Sequence, residues 1–204
     1  MNGVNNEHPC VRGRHGCGCG SGPSSYTMQD PESLFHRLAL RERDEVLDLG
    51  CGRGDYALRA SRIVGEMGAV QALDRNANTI EGLRRFVSSQ RITNVFPMVH
   101  DITEPLPFDA GRFRLCLLAM VLHTLDLRKD CDRLFREISR ILAREGRIAI
   151  LECKKEDAPL GPPKSVRLSP DDVERLVARH GFEKVDLVDF GYNYLIQFMR
   201  LRSS

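Results

Sequence analysis

A chain of 204 residues with 30 Lys+Arg against 28 Asp+Glu, a net charge of +2, lacks the basic surplus and the Lys/Arg block of a polyanion binder. Its longest apolar run, Leu115 to Leu122, falls far short of the roughly 20 residues that span a bilayer. The first residues hold Asn, Glu, His and Arg where a signal peptide needs an apolar core, so a soluble cytoplasmic protein with no membrane attachment is expected.

The length fits one three-layer domain plus a tail. Residues 1–25 have few large apolar side chains, and Gly13 to Gly22 is half glycine. Such a segment cannot offset its chain entropy by burial, which predicts a disordered tail and a folded domain over 26–204. The seven cysteines divide accordingly. Cys51, Cys116, Cys131 and Cys153 are scattered through the domain, as reduced intracellular thiols are. Cys10, Cys17 and Cys19 cluster in the tail with His15, and His8 lies nearby. That set could hold a thiophilic ion, although it lacks the paired C-x₂-C spacing of zinc modules. An inert tail is the other reading, and on either one residues 1–25 should be dispensable for ligand binding by the domain.

In chain order, Asp30-Pro31-Glu32 predicts an N-cap, a proline in the first turn and a helix to about Leu40. Strands and helices then alternate. Glu45–Leu49 reads as a strand, Tyr56–Val64 as a helix stopped by Gly65 and Gly68, and Ala69–Leu73 as a strand ending in Asp74. Ala77–Ser89 is helical, and Val95–Val99 is a strand whose Pro97 suggests a sheet edge. A Pro-rich loop, Glu104 to Gly111, precedes an almost wholly apolar strand, Phe113–Met120, as a central parallel strand should be. A long helix is expected over Leu127–Ala143, with Gly146 at its end and Arg147–Glu152 as the next strand. Ser169-Pro170-Asp171-Asp172 caps a helix to about His180, and two strands joined by a short turn close the chain as an antiparallel hairpin. The expected fold is α/β, a doubly wound, mostly parallel seven-stranded sheet with helices on both faces.

The chemistry concentrates on Asp48-Leu49-Gly50-Cys51-Gly52-Arg53-Gly54, a strand end, a tight glycine turn and a helix start. Asp55 stands where the G-x-G-x-x-G fingerprint needs its third glycine, so a dinucleotide is a poor match. A carboxylate at Asp48 suits an ammonium group and would repel a pyrophosphate. This segment closely resembles the first motif of class I S-adenosylmethionine-dependent methyltransferases. The resemblance covers about residues 30–201 and implies S-adenosylmethionine as cofactor. Asp48 and the turn Gly50, Cys51 and Gly52 would hold its methionine part, with Ala119 and Met120 alongside. Asp74, 20 residues beyond Gly54, can accept both ribose hydroxyls, or simply cap the helix that begins near Asn76. In the resembling family an acid at Asp101 takes the adenine amino group while Ile102 packs on the ring; an ordinary Asx turn before Thr103 is the local alternative.

Methyl transfer needs a base only when the acceptor arrives protonated. His123, just after the fourth strand, is the best-placed residue, or else a packing histidine at the sheet edge. Cys153 ends the fifth strand beside Lys154 and Lys155, which could lower its thiol pKa. Tyr192 and Tyr194 either line the substrate mouth or cover the sheet, and Gly161-Pro162-Pro163 would form a substrate-side wall. The likeness to compact methyltransferases implies a small-molecule acceptor, and any metal is expected in the tail and not in the methyl-transfer pocket. An arsenite- or thiol-type enzyme using Cys153 and the tail cysteines, and a non-catalytic cofactor-binding partner protein, are the competing readings.

Overall fold

The computed structural model describes residues 25–159 and 161–201; the Cys10, His15, Cys17 and Cys19 cluster lies outside them. A 3₁₀ turn, Ser25–Thr27, leads into α1 (Pro31–Leu38). There follow β1 (Glu45–Leu49), α2 (Asp55–Val64), β2 (Ala69–Asp74), α3 (Ala77–Ser89), β3 (Val95–Val99), β4 (Phe113–Ala119), α4 (Cys131–Ile141), β5 (Leu142–Cys153), α5 (Pro170–Ala178), β6 (Phe182–Asp189) and β7 (Asn193–Arg200). The strands form one sheet in the order β3-β2-β1-β4-β5-β7-β6. β1 to β5 pair in parallel, and β7 runs antiparallel between β5 and β6. Pro97 sits on β3, an edge strand, where a missing amide breaks no central ladder.

Alternation along the strands sends side chains to two cores. Cys116, Leu118, Ile148 and Ile150 pack with Leu134 and Ile138 of α4 and Val173 of α5. Leu115, Leu117, Ala149 and Leu151 pack on the opposite face with Leu34 of α1, Ala60 of α2 and Ile80 of α3. Both faces are thus covered, which is why the central strands read as continuous apolar runs. Caps are set locally. Asp30 accepts from the Glu32 and Ser33 amides with Pro31 behind it, and Ser169 and Asp172 form a reciprocal capping box.

Two boundaries depart from the sequence pattern. α4 begins at Cys131, not near Leu127, because Leu122–Thr124 forms a 3₁₀ turn and Asp126 accepts from the Arg128 amide. Such side-chain bonds compete with helix formation. At its other end the chain turns extended at Leu142, and Gly146 lies inside β5. A β-carbon there would come within 2.7 Å of the Phe113 carbonyl, beside a register shift between β4 and β5. This glycine serves a close strand approach at an irregularity, not a helix stop.

Candidate active site

β1 lies beside β4, and the chain proceeds to β2 on one side and to β5 on the other, so a crevice opens at their carboxyl ends. The turn after β1 occupies it. Gly50, Gly52 and Gly54 have φ of 77°, 52° and 83°, left-handed values that glycine adopts without a Cβ clash. Their surroundings differ. A β-carbon on Gly50 would lie 2.6 Å from Cγ2 of Val121, and one on Gly54 2.6 Å from Cδ1 of Leu83. One on Gly52 would meet nothing within 4 Å. Gly50 and Gly54 serve packing, whereas Gly52 presents backbone to open space.

The strand ends tie this turn in place. The Gly50 and Cys51 amides both donate to the Leu73 carbonyl at 2.8 Å. The Gly52 amide donates to Asp74 Oδ2 at 2.9 Å, and the Asn76 amide to Oδ1 at 2.8 Å. Beneath the turn, Asp48 is 1% exposed, and neither carboxylate oxygen closes a hydrogen bond among the described residues. Burial pushes its carboxyl up to about 7; the Ala57 amide offsets part of that effect, and the Asp74 and Asp55 charges add to it. A fully buried carboxylate eased only by the nearby Ala57 amide is costly, and a cation above it would relieve the cost.

Asp101 follows β3, its Oδ1 accepting from the Thr103 amide and hydroxyl at 3.0 and 2.8 Å, which hold its carboxyl below the usual range. The Asx turn therefore forms, and Oδ2 keeps its lone pairs. Ile102 is buried with Leu49, Leu73 and Val121, and Ala119 is buried at the end of β4. Met120 follows at φ 59°, a conformation rare outside glycine, its amide donating to the Leu151 carbonyl.

His123 stands in the 3₁₀ turn after β4. Its Nδ1 donates to Glu152 Oε2 at 2.8 Å, while Oε1 of the same carboxylate accepts from the Leu122 amide at 2.8 Å. Glu152 has no solvent exposure. With the carboxylate as acceptor, Nδ1 is the donor of this bond, and in the neutral ring that tautomer puts the lone pair on Nε2. Glu152 is not among the residues that local sequence patterns single out, although a carboxylate at the end of so apolar a strand is a signal that could have found it.

Other candidates are placed differently from expectation. Cys153 is fully buried, and burial raises its thiol pKa against the opposing Arg167 charge and a backbone hydrogen bond, with the Glu152 charge adding to the rise. Its lysine neighbours are engaged elsewhere, Lys154 with Asp189 and Lys155 with Asp172. The activation expected from them is therefore absent. Tyr194 is buried, its hydroxyl donating to the Leu168 carbonyl at 2.9 Å, so it covers the sheet. Tyr192 lies under the guanidinium of Arg167, which also donates to the Pro162, Lys154 and Glu156 carbonyls and so fixes the segment after β5. Next to His123 a cleft of about 530 Å³ opens, lined by residues after β4, after β5 and on α5.

Residues 40–184 match the family model described as a methyltransferase domain. The chain belongs to the class I S-adenosylmethionine-dependent methyltransferases. It is similar to an S-adenosylmethionine-dependent methyltransferase from Aquifex aeolicus, with a TM-score of 0.80 at 25% identity over 88% of this chain and 94% of that one. It is 34% identical over 113 residues to the ubiquinone/menaquinone biosynthesis C-methyltransferase UbiE of Edwardsiella ictaluri, across 55% of this chain and 44% of that protein. The fold is shared with a geranyl diphosphate C-methyltransferase from Streptomyces coelicolor A3(2), solved with S-adenosyl-L-homocysteine, at TM-score 0.69 and 21% identity over 83% of this chain and 78% of that one. The chain spans about half the length of the curated relatives it matches. The residues present fit the family's cofactor: a buried carboxylate that no side chain pairs, under a glycine turn with one open face, suits a cationic amino-acid group. Among the described residues no helix is long and apolar enough to cross a membrane.

Proposed function

We propose that the chain methylates a small aromatic acceptor bound in the cleft beside His123. In this reading Asp48, Gly50, Cys51 and Gly52 hold the methionine part of S-adenosylmethionine, with Ala119 alongside. Asp74 takes the ribose hydroxyls, and Asp101 with Ile102 takes the adenine. When bound, the cofactor supplies a methyl group on a sulfonium, already activated toward in-line displacement. The protein then has to align and desolvate the two reactants.

The observation that carries this reading is the His123–Glu152 bond at the cleft. It leaves Nε2 free to take a proton from the acceptor's reacting hydroxyl or ring carbon, and the buried carboxylate stabilises the imidazolium that results. Relatives whose printed names are C-methyltransferases of ubiquinone and menaquinone biosynthesis support an aromatic acceptor, and methylation at a C–H carbon must shed a proton, which calls for a base. The buried Cys153 gives no support to a thiol- or metalloid-handling chemistry.

The test is formation of S-adenosylhomocysteine from S-adenosylmethionine and a panel of phenols and hydroquinones. His123→Gln should lower turnover by about 10²- to 10⁴-fold, the usual contribution of a general base, with S-adenosylhomocysteine binding unchanged. Undiminished turnover in the variant would overturn the role of His123.

A further inference from the structure

The cleft beside His123 has a marked polarity. Five of the residues that line it are Lys or Arg and two are Asp, a surplus larger than the net charge of the whole chain. The cations come from separate walls. Arg128 lies in the segment between β4 and α4, Lys155 follows β5, and Arg175 and Arg179 stand one turn apart on and just after α5.

These cations are not all spent within the protein. Asp172 binds Lys155 at 3.0 Å and Arg175 at 2.5 Å, so one carboxylate serves two of them. Arg128 and Arg179 have no side-chain ion pair or hydrogen bond among the described residues, and both are exposed. Leu125, Leu127, Val166, Leu168 and Leu176 supply an apolar lining to the same cleft, and Val166 is 42% exposed. A volume of about 530 Å³ suits a small organic molecule.

We propose that the acceptor is an amphipathic organic anion, an apolar ring or chain bearing a carboxylate or phosphate, whose charged group is bound between Arg128 and Arg179. This rests on the methyl-transfer reading above and names the substrate class for that site. The two guanidiniums offer forked donors that match carboxylate and phosphate oxygens, and the leucines take the apolar body. The anion would anchor one end of the acceptor while its reacting atom meets His123.

The test uses the full chain saturated with S-adenosylhomocysteine and probes of known charge: 2-naphthoate, 2-naphthyl phosphate, the neutral 2-naphthamide and inorganic phosphate. Calorimetry should show one or both naphthyl anions binding about tenfold or more tightly than naphthamide, and more tightly than inorganic phosphate. Which anion prevails decides between a carboxylate and a phosphate. The double variant Arg128→Gln/Arg179→Gln should lose about tenfold or more of that affinity while retaining S-adenosylhomocysteine binding as its control of folding. Rising salt should weaken the anions and leave naphthamide unchanged, a wild-type measurement that needs no variant. Equal binding of charged and neutral naphthyl probes, undiminished anion binding in a folded double variant, or inorganic phosphate binding as tightly as the naphthyl anions would each overturn the inference. Loss of S-adenosylhomocysteine binding by the wild type would instead overturn the methyl-transfer reading.

Discussion

The Gly52 amide donates to Asp74 Oδ2 across 2.9 Å, joining the turn after β1 to the end of β2. One carboxylate thereby fixes the open glycine of the turn, and its other oxygen caps the segment before α3 through Asn76. Each oxygen keeps a second lone pair for a ligand hydroxyl. Asp74→Ala should therefore weaken S-adenosylhomocysteine binding by about 2–4 kcal/mol, through lost charged acceptors and a loosened turn. Titration calorimetry checks this. Wild-type affinity would leave Asp74 as a tie and a cap with no ligand role.

The glycines of that turn should separate stability from binding. Gly54→Ala places a β-carbon against Leu83 in a left-handed conformation, and should cost about 2–4 kcal/mol of unfolding free energy. Gly52→Ala has open space and only the backbone penalty, about 1–2 kcal/mol, yet should abolish tight cofactor binding because the new methyl stands in the open face. Urea denaturation and calorimetry on the two variants check the contrast. Equal losses of stability would contradict it.

Asp48 predicts a pH dependence with a definite sign. Its folded pKa, pushed up to about 7 by burial, lies above the unfolded value of about 4, so the folded state holds the proton more tightly. The stability from this group is complete below pH 4 and is lost as pH rises through 7. About three pKa units correspond to about 4 kcal/mol over that window. The stability of the wild type minus that of Asp48→Asn should fall by an amount of this order between pH 4 and pH 8. A flat difference would show that Asp48 is ionised throughout.

The His123–Glu152 pair predicts two distinct effects. Glu152→Gln keeps an acceptor for the Leu122 amide but can donate to Nδ1, shifting the ring proton to Nε2. Turnover should fall by about 10²-fold or more with little loss of stability. Glu152→Ala should in addition cost about 1–3 kcal/mol, since the Leu122 amide is left buried and unpaired. Denaturation midpoints and turnover measured together check this, and a fall in stability without a fall in turnover would reduce Glu152 to a structural role.

Much of this was legible in the sequence. The order of strands and helices, the edge position of Pro97, the caps at Asp30 and Ser169 and the terminal hairpin follow from local patterns that the sheet reinforces. Asp48, Asp74 and Asp101 were visible as candidates because a doubly wound sheet brings the ends of its strands to one crevice. Pairings across the fold were not legible. Glu152 meets His123 only because β5 lies beside β4, and Arg128 meets Arg179 at one cleft only because α5 packs beside the turn after β4. The sequence also suggested an activated Cys153, since it could not show Lys154 and Lys155 turned to Asp189 and Asp172. Gly146 looked like a helix stop because nothing local reveals how closely the Phe113 carbonyl approaches it.

The most direct test of the account is a crystal structure of the full chain with S-adenosylhomocysteine. The ligand's ammonium is expected over Asp48 and the Gly52 backbone, its ribose hydroxyls on Asp74, its adenine between Asp101 and Ile102, and its sulfur toward His123 and the cleft. A ligand bound elsewhere, or one whose sulfur faces away from His123, would contradict it.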